Sequence, residues 1–143
     1  MLEPSNYVFR DQASVMLLCG QLKSDGSHGL FNLRELYTKL ISEEYVEFES
    51  ATLDPFDTEL DRDVALVKEC TDVIVVAAGL LVAMLGVKGA EQAWSAIQRT
   101  NAAKAAAAEM REDGKYLQTA EYKTALKKQL LEDIAKLLSL SGE

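Results

Sequence analysis

Apolar residues recur at intervals of three and four along most of the 143-residue chain, which is the spacing of one face of an α-helix. This periodicity predicts four main helices and a further one at the C-terminal end. Their expected bounds are residues 7–23, 30–53, 60–87, 90–110 and 122–137. Two prolines and eight glycines are too few for a turn-rich β fold. The pattern therefore predicts an all-α protein, a four-helix bundle with an additional C-terminal helix, in a single domain over residues 1–143.

Two acidic clusters lie near the middle of the second and third predicted helices, at residues 43–47 and 69–72. Asp54 precedes Pro55, and proline disfavours helical backbone in the residue before it. Residues 54–59 should therefore turn the chain and let the third helix return antiparallel to the second. Packing of these two helices side by side would bring the acidic clusters together.

Each acidic cluster contains a pair of carboxylates on one helical face. Glu44 and Glu47 are three residues apart, as are Glu69 and Asp72, so each pair points in one direction. Two facing pairs of like charge would repel unless a cation lay between them. Hard oxygen ligands without a nearby set of His or Cys favour Mg²⁺, with Mn²⁺ as a substitute. The four acids therefore predict a divalent metal site.

A plainer interpretation of the same acids stays open. In a chain with 23 Asp and Glu, a pair of glutamates on a helix is often only a solvated face. The protein would then be a non-enzymatic helical interaction module whose apolar final helix docks a partner. Asp72 favours the metal, because it borders residues 73–87, which carry no charge. A di-iron bundle is excluded, since its Glu-x-x-His pairs are missing and the single histidine, His28, falls in a predicted loop.

Charge and composition narrow the class of partner. The net charge of −8 and the pI near 4.7 make nucleic acid and anionic membranes unfavourable partners. Cys19 and Cys70 do not form a disulfide framework or a zinc pattern, and residues 1–10 lack the basic start of a signal peptide. We therefore expect a cytoplasmic protein.

The apolar residues 73–87 are too short to span a membrane and too apolar to be covered by four neighbours, so we expect a homodimer or a dimer of dimers.

The order of the motifs resembles a known family. The Glu-x-x-Glu pair at Glu44 and Glu47 precedes Glu-x-x-Asp at Glu69 and Asp72, with 21 residues between Glu47 and Glu69. Downstream come Asn101-Ala102-Ala103-Lys104 and Asp113-Gly114-Lys115. Together these elements look like the signature of the MazG-like all-α nucleoside triphosphate pyrophosphohydrolases. The resemblance covers about residues 30–122.

The resemblance implies a MazG-type fold and Mg²⁺-dependent hydrolysis of a nucleoside triphosphate to the monophosphate and pyrophosphate. It implies roles for eight residues and a second subunit that helps to complete each site. Glu43 would hold a further ion or activate water, Lys104 and Lys115 would contact phosphates, and Asn101 would face the sugar or phosphate. The implied metal ligands are Glu44, Glu47, Glu69 and Asp72. This chemistry agrees with the residues, because phosphoryl transfer depends on positioning and charge neutralisation.

The chain departs from the family pattern at two positions. Ala103 stands where many relatives have Ser, and Gln118 lies in a stretch that lacks a frequent Lys-Pro. No motif specifies the base. Members of the family act on dUTP or dCTP, or on dGTP or another purine triphosphate, and include phage versions that act in the host cytoplasm. The candidates for a base pocket are Gln12, Met16, Gln21 and Trp94.

Overall fold

The computed structural model of the protein describes residues 7–27, 29, 32–107, 112–113 and 122–141. These residues are helical apart from turns and short loops, and no strand occurs among them. The helices are α1 (Val8–Leu18), α2 (Leu33–Leu53), α3 (Glu59–Ala107) and α4 (Lys127–Ser141), and a π-helical turn, Tyr122–Leu126, leads into α4. The prediction of an all-α protein is confirmed, whereas the MazG-type fold stays a prediction.

Local backbone chemistry sets the ends of α1 and α2. Helix α1 ends at Leu18 rather than at the predicted Lys23, because Gly20 takes a left-handed φ of 81° that a helix does not contain. Helix α2 begins after Asn32, whose side-chain oxygen accepts a hydrogen bond from the Glu35 backbone N–H at 3.3 Å. The predicted start of this helix at Leu30 lies outside the described residues.

The turn between α2 and α3 forms where Pro55 predicts it. Asp54 is extended, with ψ of 147°, and ends α2. The Thr58 hydroxyl then accepts a hydrogen bond from the Asp61 backbone N–H at 3.1 Å, which caps the start of α3. Helix α2 thus ends and α3 begins within a few residues.

Helix α3 is kinked at Gly86, which has φ of 70° and ψ of 174°. The sequence predicts two helices separated by Gly86 and Gly89, but the described chain breaks at Gly86 alone and resumes the helix immediately. Only glycine takes these angles without strain. The contacts divide the protein into two compact units at this point, Met1–Val87 and Lys88–Glu143. The prediction of a single domain stays a prediction.

The first unit packs α2 closely against α3. Met16 and Leu33 are fully buried, and Tyr37 is 3% exposed. The Tyr37 ring lies directly over Gly79, where an added Cβ would overlap the ring at its Cε1 atom. Gly79 is therefore required for this approach, which holds the beginning of α2 against α3.

In the second unit, alanines supply the buried positions of the helix. Ala90, Ala93 and Ala96 recur every three residues and are at most 7% exposed. Short side chains of this kind permit a close approach of neighbouring backbone. Ala90, Ala93 and Ala96 therefore form a thin apolar face of α3.

Within the described residues, one helical stretch could cross a membrane as judged by length and composition. It runs over Glu59–Ala103, with a hydropathy of 2.3 in its most apolar window, of which 33% is buried. Core helices of soluble proteins have the same properties, so this is weak evidence.

Candidate metal centre

Three glutamates from two helices converge in the first unit. Glu44 and Glu47 lie in the middle of α2, and Glu69 lies in the first half of α3. One carboxylate oxygen from each lies within 4.8 Å of those of the other two. We call Glu44, Glu47 and Glu69 the carboxylate cluster. Its three members are among the four acids that the sequence predicts to meet.

Two oxygens of the carboxylate cluster are buried without a partner. Glu44 Oε2 and Glu69 Oε2 have no access to solvent and accept no hydrogen bond from the described residues. An ionised oxygen in such a place costs free energy, because water has been removed and nothing has replaced it. Within the part of the chain that the structure describes, no hydrogen-bond donor reaches these two oxygens.

Asp72, the fourth predicted acid, lies beside the cluster and pairs with a lysine. Lys68 Nζ is 2.8 Å from Asp72 Oδ2 and 3.3 Å from Glu69 Oε1. These hydrogen bonds and charges raise the pKa of Lys68. The Lys68 side chain is 63% exposed, so it approaches the acids from the solvent side. The sequence interpretation missed Lys68, although its four-residue spacing to Asp72 is the signal of a helical ion pair.

The electrostatics of the cluster are those of crowded acids. Partial burial, followed by the charges of Glu47 and Asp72, raises the pKa of Glu44 above its ordinary value of 4.5. A hydrogen bond from Glu44 to Glu47 and the charge of Glu69 act in the same direction. The folded protein thus favours a proton or another cation at Glu44.

The residues present fit a divalent cation. The donors are hard carboxylate oxygens, they converge from two helices, and two of them have no other partner among the described residues. Mg²⁺ and Mn²⁺ accept such donors and complete their shells with water or substrate phosphate. Glu43 is exposed on α2, next to Glu44 in the chain, which suits a group that works at the edge of the cluster.

The predicted phosphate-binding residues belong to the second unit. Asn101 is exposed on α3, and its Nδ2 donates a hydrogen bond to Gln98 Oε1 at 3.2 Å. The backbone of Lys104 continues the same helix, while its side chain and the whole of Lys115 lie outside the described residues. Their approach to the carboxylate cluster stays a prediction.

Three of the four base-pocket candidates lie in the packing of α1 on α2. Met16 is fully buried, and Gln12 is 7% exposed. Gln12 Nε2 donates to Tyr37 Oη at 3.2 Å, and the Tyr37 hydroxyl donates to Gln21 Oε1 at 2.6 Å. We call Gln12, Tyr37 and Gln21 the tyrosine network. A base contact by Gln12 or Met16 would require this core to open.

Trp94, the fourth candidate, lies in the second unit and is 56% exposed. It is open to a ligand in a way that Met16 is not. Its role in base recognition stays a prediction.

Comparisons with known proteins add no relative. No family model, curated protein or solved structure matches the chain.

Proposed function

We propose that the protein is a Mg²⁺-dependent nucleoside triphosphate pyrophosphohydrolase. The observation that supports this most is the convergence of Glu44, Glu47 and Glu69 with two buried, unpartnered carboxylate oxygens. Retaining such a costly arrangement is reasonable when a cation is to bind there. The products would be the nucleoside monophosphate and pyrophosphate.

The chain's own residues would divide the work. The carboxylate cluster and Asp72 would hold the ion, and α2 and α3 would fix their separation. Bound magnesium would neutralise triphosphate charge, which matters in a protein of net charge −8. Glu43, exposed beside Glu44, would accept a proton from the attacking water or hold a further ion.

Substrate contacts would come from the residues of the two downstream motifs. Lys104 and Lys115 would bind phosphate oxygens, and Asn101 would orient the sugar or a phosphate. We favour a deoxynucleotide, dUTP, dCTP or dGTP, and a role in control of the nucleotide pool in the cytoplasm. These assignments rest on the motif resemblance and on the chemistry of the side chains.

A screen of canonical and modified triphosphates with Mg²⁺ tests this proposal. We expect pyrophosphate release from at least one deoxynucleotide, no release in chelator, and partial activity with Mn²⁺. Ca²⁺ should bind but support little turnover, because it tolerates looser geometry than Mg²⁺. Diphosphate and orthophosphate as products would contradict the proposed reaction.

A second candidate function is the non-enzymatic interaction module. The exposed apolar residues of the first half of α3, among them Leu60 and Val67, favour it. The two candidates differ in their response to metal. Millimolar Mg²⁺ should raise the melting temperature of the enzyme through binding to the folded state, and it should leave the module unchanged.

A further inference from the structure

A cleft of about 350 Å³ lies in the first unit, between α1, the loop that follows it and α3. Helix α1 contributes one wall, and the three- and four-residue spacing of its lining residues places them on one helical face. These wall residues are Arg10, Ala13, Ser14 and Leu17. The volume is at the lower end of the range for small-molecule sites. We call this space the α1 cleft.

The floor of the α1 cleft is apolar. It includes Leu22 of the loop and Val82 of α3, which are 8% and 4% exposed. Leu17 of the wall is 46% exposed, so part of the apolar lining is in contact with water. At the kink, a Cβ added to Gly86 would meet no atom within 4 Å, which leaves this side of the cleft open. A ligand with an apolar body would therefore gain free energy by covering the lining.

Two cations line the same cleft, Arg10 on α1 and Lys23 in the loop. The Arg10 guanidinium lies over the Tyr7 ring, with 4.6 Å between its Cζ atom and the ring centroid. Such stacking uses the flat face of the guanidinium, whereas its N–H groups donate from the edge. The stacked arginine is thus compatible with hydrogen bonds to an anion in the cleft.

The α1 cleft is positively charged, although the protein as a whole is acidic. Among the described residues that line it, none is Asp or Glu. Asp25 lies in the same loop, but its Oδ1 accepts hydrogen bonds from the backbone N–H and the hydroxyl of Ser27, at 2.9 and 2.6 Å. These hydrogen bonds, and after them the charge of Lys23, lower the pKa of Asp25. In a protein of net charge −8, a lining of this kind selects for a negative ligand.

We propose that the α1 cleft binds a small amphipathic anion, a molecule with one carboxylate or phosphate group and an apolar body. Arg10 and Lys23 would bind the anionic group, because guanidinium and ammonium groups donate charge-assisted hydrogen bonds to either oxyanion. Ser24, which also lines the cleft, would add a hydroxyl donor. The apolar body would lie against Leu17 and Val82. An inorganic anion would leave this apolar lining uncovered, and a neutral apolar molecule would leave the two cations unused.

The α1 cleft is separate from the carboxylate cluster and from the predicted base contacts. Val82 follows Glu69 by thirteen residues of α3, which is about 20 Å at the rise of an α-helix. Gln12 and Met16 are buried on a different side of α1 from the cleft wall. The ligand of the α1 cleft would therefore be a second molecule, bound without contact to the metal centre.

Titration calorimetry with octanoate and octyl phosphate, in chelator and without substrate, tests the proposal. We expect saturable binding and a melting temperature that rises with the concentration of the probe. Octanol, octylammonium, acetate and inorganic phosphate are the matched ligand controls, because each lacks either the anionic group or the apolar body. They should bind at least about tenfold more weakly. Binding of only one of the two probes would identify the anionic group as a carboxylate or as a phosphate.

Charge substitutions in the lining locate the bound anion. Arg10→Gln should weaken binding of the tighter probe by about tenfold, since it removes charge-assisted hydrogen bonds. Arg34→Gln makes the same change at an exposed position of α2 and should bind like the parent. Lys23→Gln should weaken binding by about threefold, because an exposed ammonium is strongly hydrated. Lys39→Gln, also exposed on α2, is its control.

Ala13→Leu fills the α1 cleft without changing its charges. Leucine forms helices nearly as well as alanine, so α1 should stay intact. Saturable binding of both probes should be lost. If this variant did not fold, Arg10→Gln and Lys23→Gln, both at exposed positions, would decide the question.

Several results would overturn the proposal. Equal affinity for octanol and octanoate would show that the cleft does not select an anion, and no saturable binding of either probe would show that it is not a site. Equal effects of Arg10→Gln and Arg34→Gln would place the anion elsewhere. Unchanged binding in folded Ala13→Leu would place the probe on another apolar surface, such as the exposed first half of α3. None of these measurements uses substrate or metal, so this inference and the proposed activity can fail separately.

Discussion

The tyrosine network and the carboxylate cluster are two polar groups in the first unit, and they differ in whether their polar atoms have hydrogen-bond partners. In the network, the Tyr37 hydroxyl accepts from Gln12 and donates to Gln21, so the amides that face it are paired. In the cluster, Glu44 Oε2 and Glu69 Oε2 have no partner among the described residues. Buried polar groups that serve only stability are normally satisfied. The contrast indicates that the network supports the fold, whereas the cluster is maintained at a cost to stability and is suited to a ligand.

The largest difference between the carboxylate cluster and the tyrosine network should be in catalytic activity, when a residue of the cluster is substituted. Glu69→Gln removes a charge from the centre of the cluster with little change of shape. We expect pyrophosphate release to fall by about a hundredfold or more, because the ion that neutralises the triphosphate loses a ligand. Glu49→Gln, on α2 but outside the cluster, is the control and should retain activity. Similar turnover in Glu69→Gln and Glu49→Gln would show that the carboxylate cluster has no part in catalysis.

Breaking the tyrosine network should cost stability with or without metal. Tyr37→Phe keeps the ring over Gly79 but leaves the buried Gln12 amide and the Gln21 carbonyl without their shared hydroxyl. We expect a loss of about 1–3 kcal/mol in the free energy of unfolding. The measurement is chemical denaturation in chelator and in Mg²⁺. Tyr45→Phe, at a residue that is 54% exposed, should change little. An unchanged stability of Tyr37→Phe would mean that water replaces the hydroxyl.

Asp72→Asn, unlike Tyr37→Phe, should not lose stability in the absence of metal. In chelator we expect this variant to melt at or above the parent temperature, because the charge of Asp72 acts against ionisation of Glu44. Mg²⁺ should reverse the ranking. The parent would gain about 1.4 kcal/mol at ten times Kd and about 2.7 kcal/mol at a hundred times Kd, and the variant much less. A loss of stability in chelator would make Asp72 a structural acid, and an unchanged magnesium response would make it a solvated one.

The hydrophobic periodicity predicted the helix ends well where a neighbouring residue alone determines the backbone conformation. Pro55 ended α2 at Leu53 as expected, since proline acts on its immediate neighbour. The approach of Glu44 to Glu69 also followed from the turn and the spacing of acids. Periodicity could not show that Gly86 alone interrupts α3, because a kink and a loop both place glycine there. Nor could it separate Met16 of the core from Trp94 of the surface, since burial depends on contacts distant in sequence.

Lys68 provides a smaller test of how the cluster is balanced. Its ammonium is the cation closest to Asp72 and Glu69 among the ion pairs of the described residues, so it offsets some of their repulsion. Lys68→Met should lower the melting temperature slightly in chelator. It should also tighten Mg²⁺ binding, because the metal no longer competes with the ammonium for the two carboxylates. Titration calorimetry with Mg²⁺ measures this, with Lys39→Met as the control. Weaker metal binding in Lys68→Met would show that the lysine positions the ligands.

The smallest expected effect is a pH dependence that originates at Glu44. Partial burial and neighbouring acids raise the pKa of this carboxyl in the folded protein above its ordinary value of 4.5. Between 4.5 and the raised value, the folded state binds more protons than the unfolded chain. Stability in chelator should therefore fall as the pH rises through this window and level off above it. Glu44→Gln cannot ionise, so the difference in unfolding free energy between parent and variant isolates the contribution of Glu44. With Mg²⁺ present the sign should invert, since the metal binds the ionised carboxylate and its contribution grows as the proton leaves. If the parent-minus-variant difference did not change with pH in chelator, the pKa of Glu44 would be the same in the folded and unfolded chain. Solvent would then screen Glu44 from the neighbouring acids.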